Sequence, residues 1–381
     1  MADKLLSSLD NIELGSLNLK TPDGKERHFQ GAKDGPKADL TIYNWGVFIN
    51  LALKGDEGFA HDYRLGHWDS NDLISLVEFA LVNRNATQHM IVGSNLLSAL
   101  SNLMYFFKRN SIKGSKENIH AHYDLGNEFY KLWLDPSMTY SAAIFKHEDE
   151  SLLDAQHNKY DRIINCLEKP SGNILEIGCG WGGFAERSQA KGDYAIKGIT
   201  LSEEQHDYAQ KRLQNNAQIA LEDYRHQDGK YDSIVSIEMF EAVGEQYWPT
   251  YFSKMGSLLK DKGKAVVQTI TMNENDFDEY RTGSDFIRSY IFPGGMLPSK
   301  SQFKIQAEKA GLKVGNTFSF GQDYGHTLVH WLDTFDQKKE EVKSLGFDDG
   351  FIRLWRFYLA ACVAGFKTER TDVMQVELIR A

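Results

Sequence analysis

From about Ile119 onward, short apolar runs alternate with polar stretches that suit helices. The runs Ile174–Ile177, Tyr194–Ile199, Ala217–Leu221, Ser233–Ile237 and Ala265–Ile270 predict strands. Strands alternating with helices build βαβ units, so the pattern predicts an α/β domain over 119–381 with a mostly parallel sheet. Two late runs, Lys313–Phe320 and Asp372–Ile379, are expected to add an antiparallel edge. The earlier part reads differently. Apolar residues at helical spacing predict helices over Trp45–Leu53 and Asp72–Val82, hence a small, mainly helical N-terminal domain over 1–107. Its first 36 or so residues are polar and carry Gly24, Gly31, Gly35 and Pro36 as breakers, so no ordered element is expected there. Residues 108–118 form a charged, Gly- and Ser-containing linker.

One apolar stripe has two readings. Leu96, Leu97, Leu100, Leu103, Met104 and Phe107 repeat at helical spacing, and Lys108, Arg109, Lys113 and Lys116 follow. A core-facing helix with a solvated linker accounts for this, and so does an interfacial helix with a basic collar. The core-facing reading is favoured, because any packed helix shows such a stripe. No apolar run reaches the roughly 20 residues of a spanning helix.

Composition narrows the class. The chain has 381 residues, 41% hydrophobic and 25% charged, as in ordinary globular proteins. A net charge of −10 argues against general nucleic-acid binding and against a broad grip on anionic lipid. Cys166, Cys179 and Cys362 are scattered and odd in number, with no disulfide or zinc spacing. Met1–Leu9 lacks the apolar core of a secretory signal. A reducing cytoplasm is expected, and no metal site.

The densest chemical signal is Leu175-Glu176-Ile177-Gly178-Cys179-Gly180-Trp181-Gly182-Gly183, directly after the first predicted strand. Alternating glycines let a backbone turn sharply and approach a ligand closely. Two cofactor motifs fit these letters. Gly178, Gly180 and Gly183 match the dinucleotide pattern, which wants an acid closing the next strand to hold a ribose. That strand instead ends in Thr200-Leu201-Ser202. Glu176, Gly178, Gly180 and Gly182 match the loop of S-adenosylmethionine (SAM) methyltransferases, with Glu176 fixing the loop and the methionyl ammonium. Asp223, after the third strand, is then placed to accept from the adenine amine. The SAM reading is favoured. Ser202-Glu203-Glu204-Gln205 is a capping box, which by itself explains Ser202 and Gln205.

Further blocks carry polar and aromatic groups that a surface loop seldom holds together: His122–Asn127, Leu134–Ser141, Met239–Gly244, Tyr290–Ser299 and Phe320–Trp331. In an open α/β sheet ligands sit at the carboxyl ends of strands, where Glu241 and Gln268 fall. With the glycine loop and Thr200–Gln205, these blocks resemble the cyclopropane-fatty-acyl-phospholipid synthase family over nearly the whole chain. The stretch Asp62–Trp68 resembles that family's small helical domain, which is associated with lipid engagement and dimer contact.

The resemblance implies a Rossmann-like class I SAM methyltransferase core acting on the double bonds of unsaturated acyl chains of membrane phospholipid. The expected protein is a cytoplasmic homodimer working peripherally at the inner leaflet, without nucleic acid. Tyr140, Ser141, Glu176, Gly178, Gly180, Gly182, Thr200, Leu201, Gln205, Asp223 and Tyr224 are implied to bind SAM. Glu241, Tyr324, Gln268, Ile270 and His122 are implied to be catalytic. A carbon–carbon π bond is a poor nucleophile, so its methylation leaves a cation. The site must stabilise that cation and then remove a proton. In the family the base is usually a bound bicarbonate, and this chain keeps three of its contacts, Glu241, Ile270 and Tyr324. It departs at Ala142, where a Cys is usual, at Gln268, where a His is usual, and at Ala242, where a His often follows. Each lost donor leaves a buried anion under-paired by about 1–3 kcal/mol. Bicarbonate is therefore a doubtful cofactor, although Gln268 can still donate one hydrogen bond to it; altered chemistry is favoured over a tolerant anion site with unchanged function. The competing readings are a methyltransferase of a free small molecule and a non-catalytic SAM- or lipid-binding relative.

Overall fold

The computed structural model describes residues 6–87, 125–283 and 285–380. His122, the Met90–Phe107 stripe and the 108–118 linker lie outside these residues. The chain divides into two compact units, each built from separated segments.

The first unit comprises Met1–Phe107, Thr282–Ile291 and Leu328–Arg370. It is not mainly helical at its start, and residues 14–42 are ordered. β1 (Leu14–Lys20), β2 (Glu26–Gln30), β3 (Lys33–Ile42) and β4 (Trp68–Asp69) form a sheet in the order β2-β1-β3-β4. The residues read as breakers are what allows it. Gly15 has φ +72°, and a Cβ there would stand 2.0 Å from the Pro36 carbonyl oxygen. Gly15 and Gly35 thus let β1 and β3 cross closely at a register shift between Leu14 and Ser16. The helix predicted over Trp45–Leu53 runs Gly46–Arg64, kinked where Gly55 takes φ 59°. The second, Leu73–Val82, is capped by Asp72, whose side chain accepts from Ser75 N–H.

Asp62, Tyr63 and Trp68 of the Asp62–Trp68 stretch are buried and tied by hydrogen bonds. Asp62 accepts from Asn50 Nδ2 at 2.8 Å and lies 2.9 Å from His67 Nδ1, and Trp68 Nε1 donates to Phe59 O. Arg353 donates to Tyr63 O and Trp68 O. It comes from the Asp349–Lys367 helix, whose Ile352, Trp355, Leu359, Val363 and Phe366 are buried at helical spacing. That helix packs on the two N-terminal helices, so residues 328–370 join the first unit and interrupt the continuous 119–381 domain expected from sequence.

The second unit comprises Lys108–Arg281, Phe292–Thr327 and Thr371–Ala381. Its strands are β5 (Ser171–Ile177), β6 (Asp193–Thr200), β7 (Gln218–Leu221), β8 (Tyr231–Ile237), β9 (Leu259–Met272), β10 (Leu312–Ser319) and β11 (Thr371–Arg380). They form one sheet, ordered β10-β11-β9-β8-β5-β6-β7. β5 to β9 pair in parallel, and β11 is antiparallel to both β9 and β10, as expected of an antiparallel edge on a doubly wound core. Leu175, Ile177, Ile234, Ala265 and Val267 pack one face of the sheet against Phe240, Trp248, Tyr251 and Phe252. Ile174, Ile196, Val235 and Val266 pack the other against Ile163, Phe184 and Leu213. A sheet covered on both faces reads as continuous apolar runs, which is why its strands were legible.

Candidate active site

The carboxyl ends of β5, β6, β7 and β8 open onto one cavity. It is lined by Tyr140, Ser141, Glu176, Gly178, Gly180, Thr200, Leu201, Gln205, Asp223 and Tyr224, ten of the eleven residues expected to hold the cofactor. The eleventh, Gly182, stands instead at the N-cap of the Gly183–Gln189 helix with φ 83°. Gly178 and Gly180 also take positive φ, 81° and 52°. A Cβ on Gly178 would meet Met239 Cγ at 2.9 Å, whereas one on Gly180 would project into open space. The loop is therefore a cradle whose floor is bare backbone.

Glu176 is buried, and its Oε2 accepts no hydrogen bond. Burial pushes its carboxyl well above the ordinary range, against the pull of Lys159 and Arg212. A buried oxygen left unsatisfied at a cavity wall is costly unless a ligand donates to it. An ammonium-bearing cofactor meets that need, so the residues fit SAM. At the next strand end, Thr200 Oγ1 donates to Gln205 Oε1 at 2.8 Å, and Ser202 caps its helix by accepting from Gln205 N–H. Asp223 is already engaged. Arg225 donates to Oδ1 through Nε and to Oδ2 through a terminal nitrogen at 2.6 Å. Burial raises the Asp223 pKa, but Arg225 outweighs it and the net shift is downward. Tyr140 packs its ring against Tyr130 and Trp133, with centroids 5.5 and 5.4 Å apart.

Two of the expected catalytic residues, Gln268 and Tyr324, are brought together around a residue that the sequence reading missed. Glu238 follows β8 directly and lines the cavity. Its Oε1 accepts from Ala142 N–H at 2.9 Å and from Gln268 Nε2 at 2.7 Å, and its Oε2 accepts from Tyr324 O–H at 2.6 Å. Gln268 is oriented in turn, because Gln375 Nε2 donates to its Oε1 at 2.9 Å and Arg162 donates to Gln375 Oε1 at 2.7 Å. Gln268 and Tyr324 are thus organised through Glu238 and do not line the cavity themselves.

Glu241 lies beside this group, also off the cavity wall. Its Oε1 accepts from Ile270 N–H at 2.6 Å and from Thr269 O–H at 3.0 Å, while Oε2 is buried with no partner. Ala242, where a His often stands in the family, faces the cavity. Burial, then repulsion from Glu238, pushes the Glu241 carboxyl up to about 8, against the Ile270 N–H. Burial likewise raises Glu238, opposed by Tyr324, the Ala142 N–H, Lys159 and Gln268. Lys159 was also missed. It is fully buried, donates to Ser141 Oγ at 2.7 Å, and is drawn down to about 7 by burial against the pull of Glu238, Asp135 and Glu176. Its helix, Leu152–Cys166, carries polar residues throughout, so nothing in its pattern marked one lysine as interior. A strand-end acid was the only signal for Glu238.

A family model described as mycolic acid cyclopropane synthetase matches residues 110–376. The tuberculostearic acid methyltransferase of Mycobacterium tuberculosis is 36% identical over 369 residues, 92% of this chain and 85% of that protein. The cyclopropane-fatty-acyl-phospholipid synthase of Escherichia coli K12 is 33% identical over 353 residues, 90% of this chain and 88% of that one. A mycolic acid cyclopropane synthase solved in complex with SAH and CTAB superposes with a TM-score of 0.65 at 30% identity, covering 69% of this chain and 98% of that one. With a bare-backbone cradle, an unsatisfied glutamate on its wall and these relatives, the chain belongs to the mycolic acid cyclopropane synthetase family and is a SAM-dependent methyltransferase.

Proposed function

We propose that the protein methylates a carbon–carbon double bond in an unsaturated acyl chain of membrane phospholipid. The observation that carries this reading is the joining, in one cavity, of the cofactor cradle and a carboxylate held by Tyr324, Gln268 and Ala142. When bound, SAM supplies a methyl group on a sulfonium, which needs no activating metal. Glu176 would hold its ammonium, the bare backbone at Gly178 and Gly180 would let it approach closely, and Thr200, Leu201, Gln205, Asp223 and Tyr224 would hold its nucleoside end. Tyr140 offers a ring face and Glu238 a negative charge where positive charge develops on the acyl chain. Met138, Ile237, Met239 and Val243 line the same cavity and exclude water from that cation. The position that loses a proton sets the product. Loss from the new methyl closes a cyclopropane or leaves a methylene, loss elsewhere leaves a shifted alkene, and a saturated methyl branch needs a separate reductant.

A lipid surface also suits the first unit. Trp45, Ile49 and Leu53, four residues apart at the start of the Gly46–Arg64 helix, are 44%, 49% and 44% exposed. An aromatic and two aliphatic side chains on one exposed helix face suit shallow insertion at a lipid–water boundary. No described helix is long and apolar enough to cross a membrane. Peripheral work at a membrane surface, through that exposed face, is part of the proposal.

The test is mass spectrometry of lipids from cells expressing the chain and fed methyl-deuterated methionine with mono- or di-unsaturated fatty acids. Labelled phospholipid acyl chains are expected. Retention of two deuteriums means that the proton left the new methyl, and retention of all three means that it left elsewhere. No labelled phospholipid overturns the substrate assignment.

A further inference from the structure

The backbone at Glu238 takes φ 48°, the left-handed region that L side chains rarely adopt. Such a conformation is strained and persists only where the surroundings enforce it. Here it places a carboxylate on the cavity wall. That carboxylate takes three donors at 2.6–2.9 Å, from Tyr324, Gln268 and the Ala142 N–H. Two of these, Tyr324 and position 268, belong to the set expected to grip a diffusible anion, and the third lies on Ala142 itself. The donors are already taken by the chain's own side chain.

We infer that Glu238 is the tethered proton acceptor of this enzyme, standing in the anion site in place of a dissolved bicarbonate. The inference rests on the methylation reading above and deepens it. In the step, the alkene π pair forms the new carbon–carbon bond while the carbon–sulfur pair returns to sulfur, leaving a cation on the neighbouring carbon. The Glu238 carboxylate takes a proton either from a carbon adjacent to that centre or from the new methyl, one carbon further away. The released C–H pair forms the new double bond or the third side of the ring. The resulting carboxylic acid returns its proton to solvent, so no further reactant is consumed. Tyr324 and Gln268 are positioning residues that fix the carboxylate and tune its basicity.

The test measures transfer of methyl from labelled SAM into phospholipid vesicles containing unsaturated chains, in carbonate-depleted buffer and with added sodium bicarbonate. Wild type is expected to turn over equally in both. Glu238→Gln should lower kcat at least a hundredfold while the Kd for SAM moves less than threefold. Glu238→Gly keeps the left-handed backbone without strain and opens room for a small anion. It should be inactive in depleted buffer and regain at least tenfold with bicarbonate or formate. Two results overturn the assignment: Glu238→Gln within threefold of wild type, or a Glu238→Gly variant that binds SAM and is active without added anion. Wild-type stimulation by bicarbonate overturns it as well. Absence of wild-type methylation of any vesicle overturns the underlying reading instead, and the two failures are thereby distinguished.

Discussion

Replacing Gln268 with Leu tests whether the carboxylate network is as tightly organised as its geometry indicates. The side chain is fully buried and joins Gln375 to Glu238. Leu has nearly the same volume, so the change removes hydrogen bonds and leaves little cavity. Two bonds are lost. The 2.7 Å donation to the Glu238 carboxylate is charge-assisted and contributes about 1.5–3 kcal/mol. The 2.9 Å donation from Gln375 contributes about 1 kcal/mol and leaves a buried amide N–H with only a 3.4 Å contact to Lys159 O. Together these come to about 2.5–4 kcal/mol, a fall in melting temperature of about 5–16 °C. The assay is thermal unfolding of four proteins: wild type, Gln268→Leu, Gln375→Leu and the double variant. Once Gln268 is gone, removing Gln375 also removes the orphaned donor. The double variant should therefore lose about 1–2 kcal/mol less than the sum of the singles. A Gln268→Leu protein within about 0.5 kcal/mol of wild type, or strictly additive costs, refutes the network.

Other perturbations have equally defined outcomes. Glu241→Gln is expected to lower turnover at least tenfold with SAM affinity unchanged, since Glu241 does not line the cavity; calorimetry beside a kinetic assay decides. The same variant has a pH signature. Glu241 is shifted from an ordinary 4.5 up to about 8, so the folded state holds a proton that the unfolded state has released between those values. Its stabilising contribution is full below about 4.5 and is lost as pH rises towards 8, and melting temperatures of Glu241→Gln should decline less than those of wild type across this window. Glu176→Gln should weaken SAM binding about 10- to 150-fold, the equivalent of one charge-assisted bond, by isothermal titration. Trp45→Ser with Ile49→Ser and Leu53→Ser should reduce co-sedimentation with phospholipid vesicles at least tenfold and leave melting temperature unchanged, because these side chains are exposed.

What was legible in the sequence follows from what periodicity encodes. The central strands β5, β8 and β9 were visible because both faces of the sheet are covered there, so their buried stretches form nearly unbroken apolar runs. The N-terminal strands were not. In β1 the alternation survives only over Leu17, Asn18, Leu19 and Lys20, and the glycines that permit close crossing read as breakers. The split of the catalytic region was hidden for another reason. An amphipathic helix such as Asp349–Lys367 announces that it is buried but not against which partner. At the site, the cofactor loop was readable because its glycines are required by local backbone geometry. Glu238 was not, since its importance rests on a positive φ and on donors from Ala142, Gln268 and Tyr324, far away in sequence. Glu241, with an equally apolar neighbourhood, drew the attention instead.

The position of β11 has a consequence for how the molecule is made. It inserts between β9 and β10, yet Thr371 is synthesised long after Met272 and Ser319. Until it emerges from the ribosome, β9 presents an unpaired edge along the nine residues Lys264–Met272, and β10 has no neighbour to pair with. Such an edge templates association with other nascent chains, so assembly of this sheet is slow and calls for chaperone protection. β11 also carries Gln375, which orients Gln268 towards Glu238. A nascent chain can complete the cofactor cradle early, because β5 to β8 and their loops are contiguous. It acquires an oriented base only when β11 arrives, so the onset of chemistry waits on that strand.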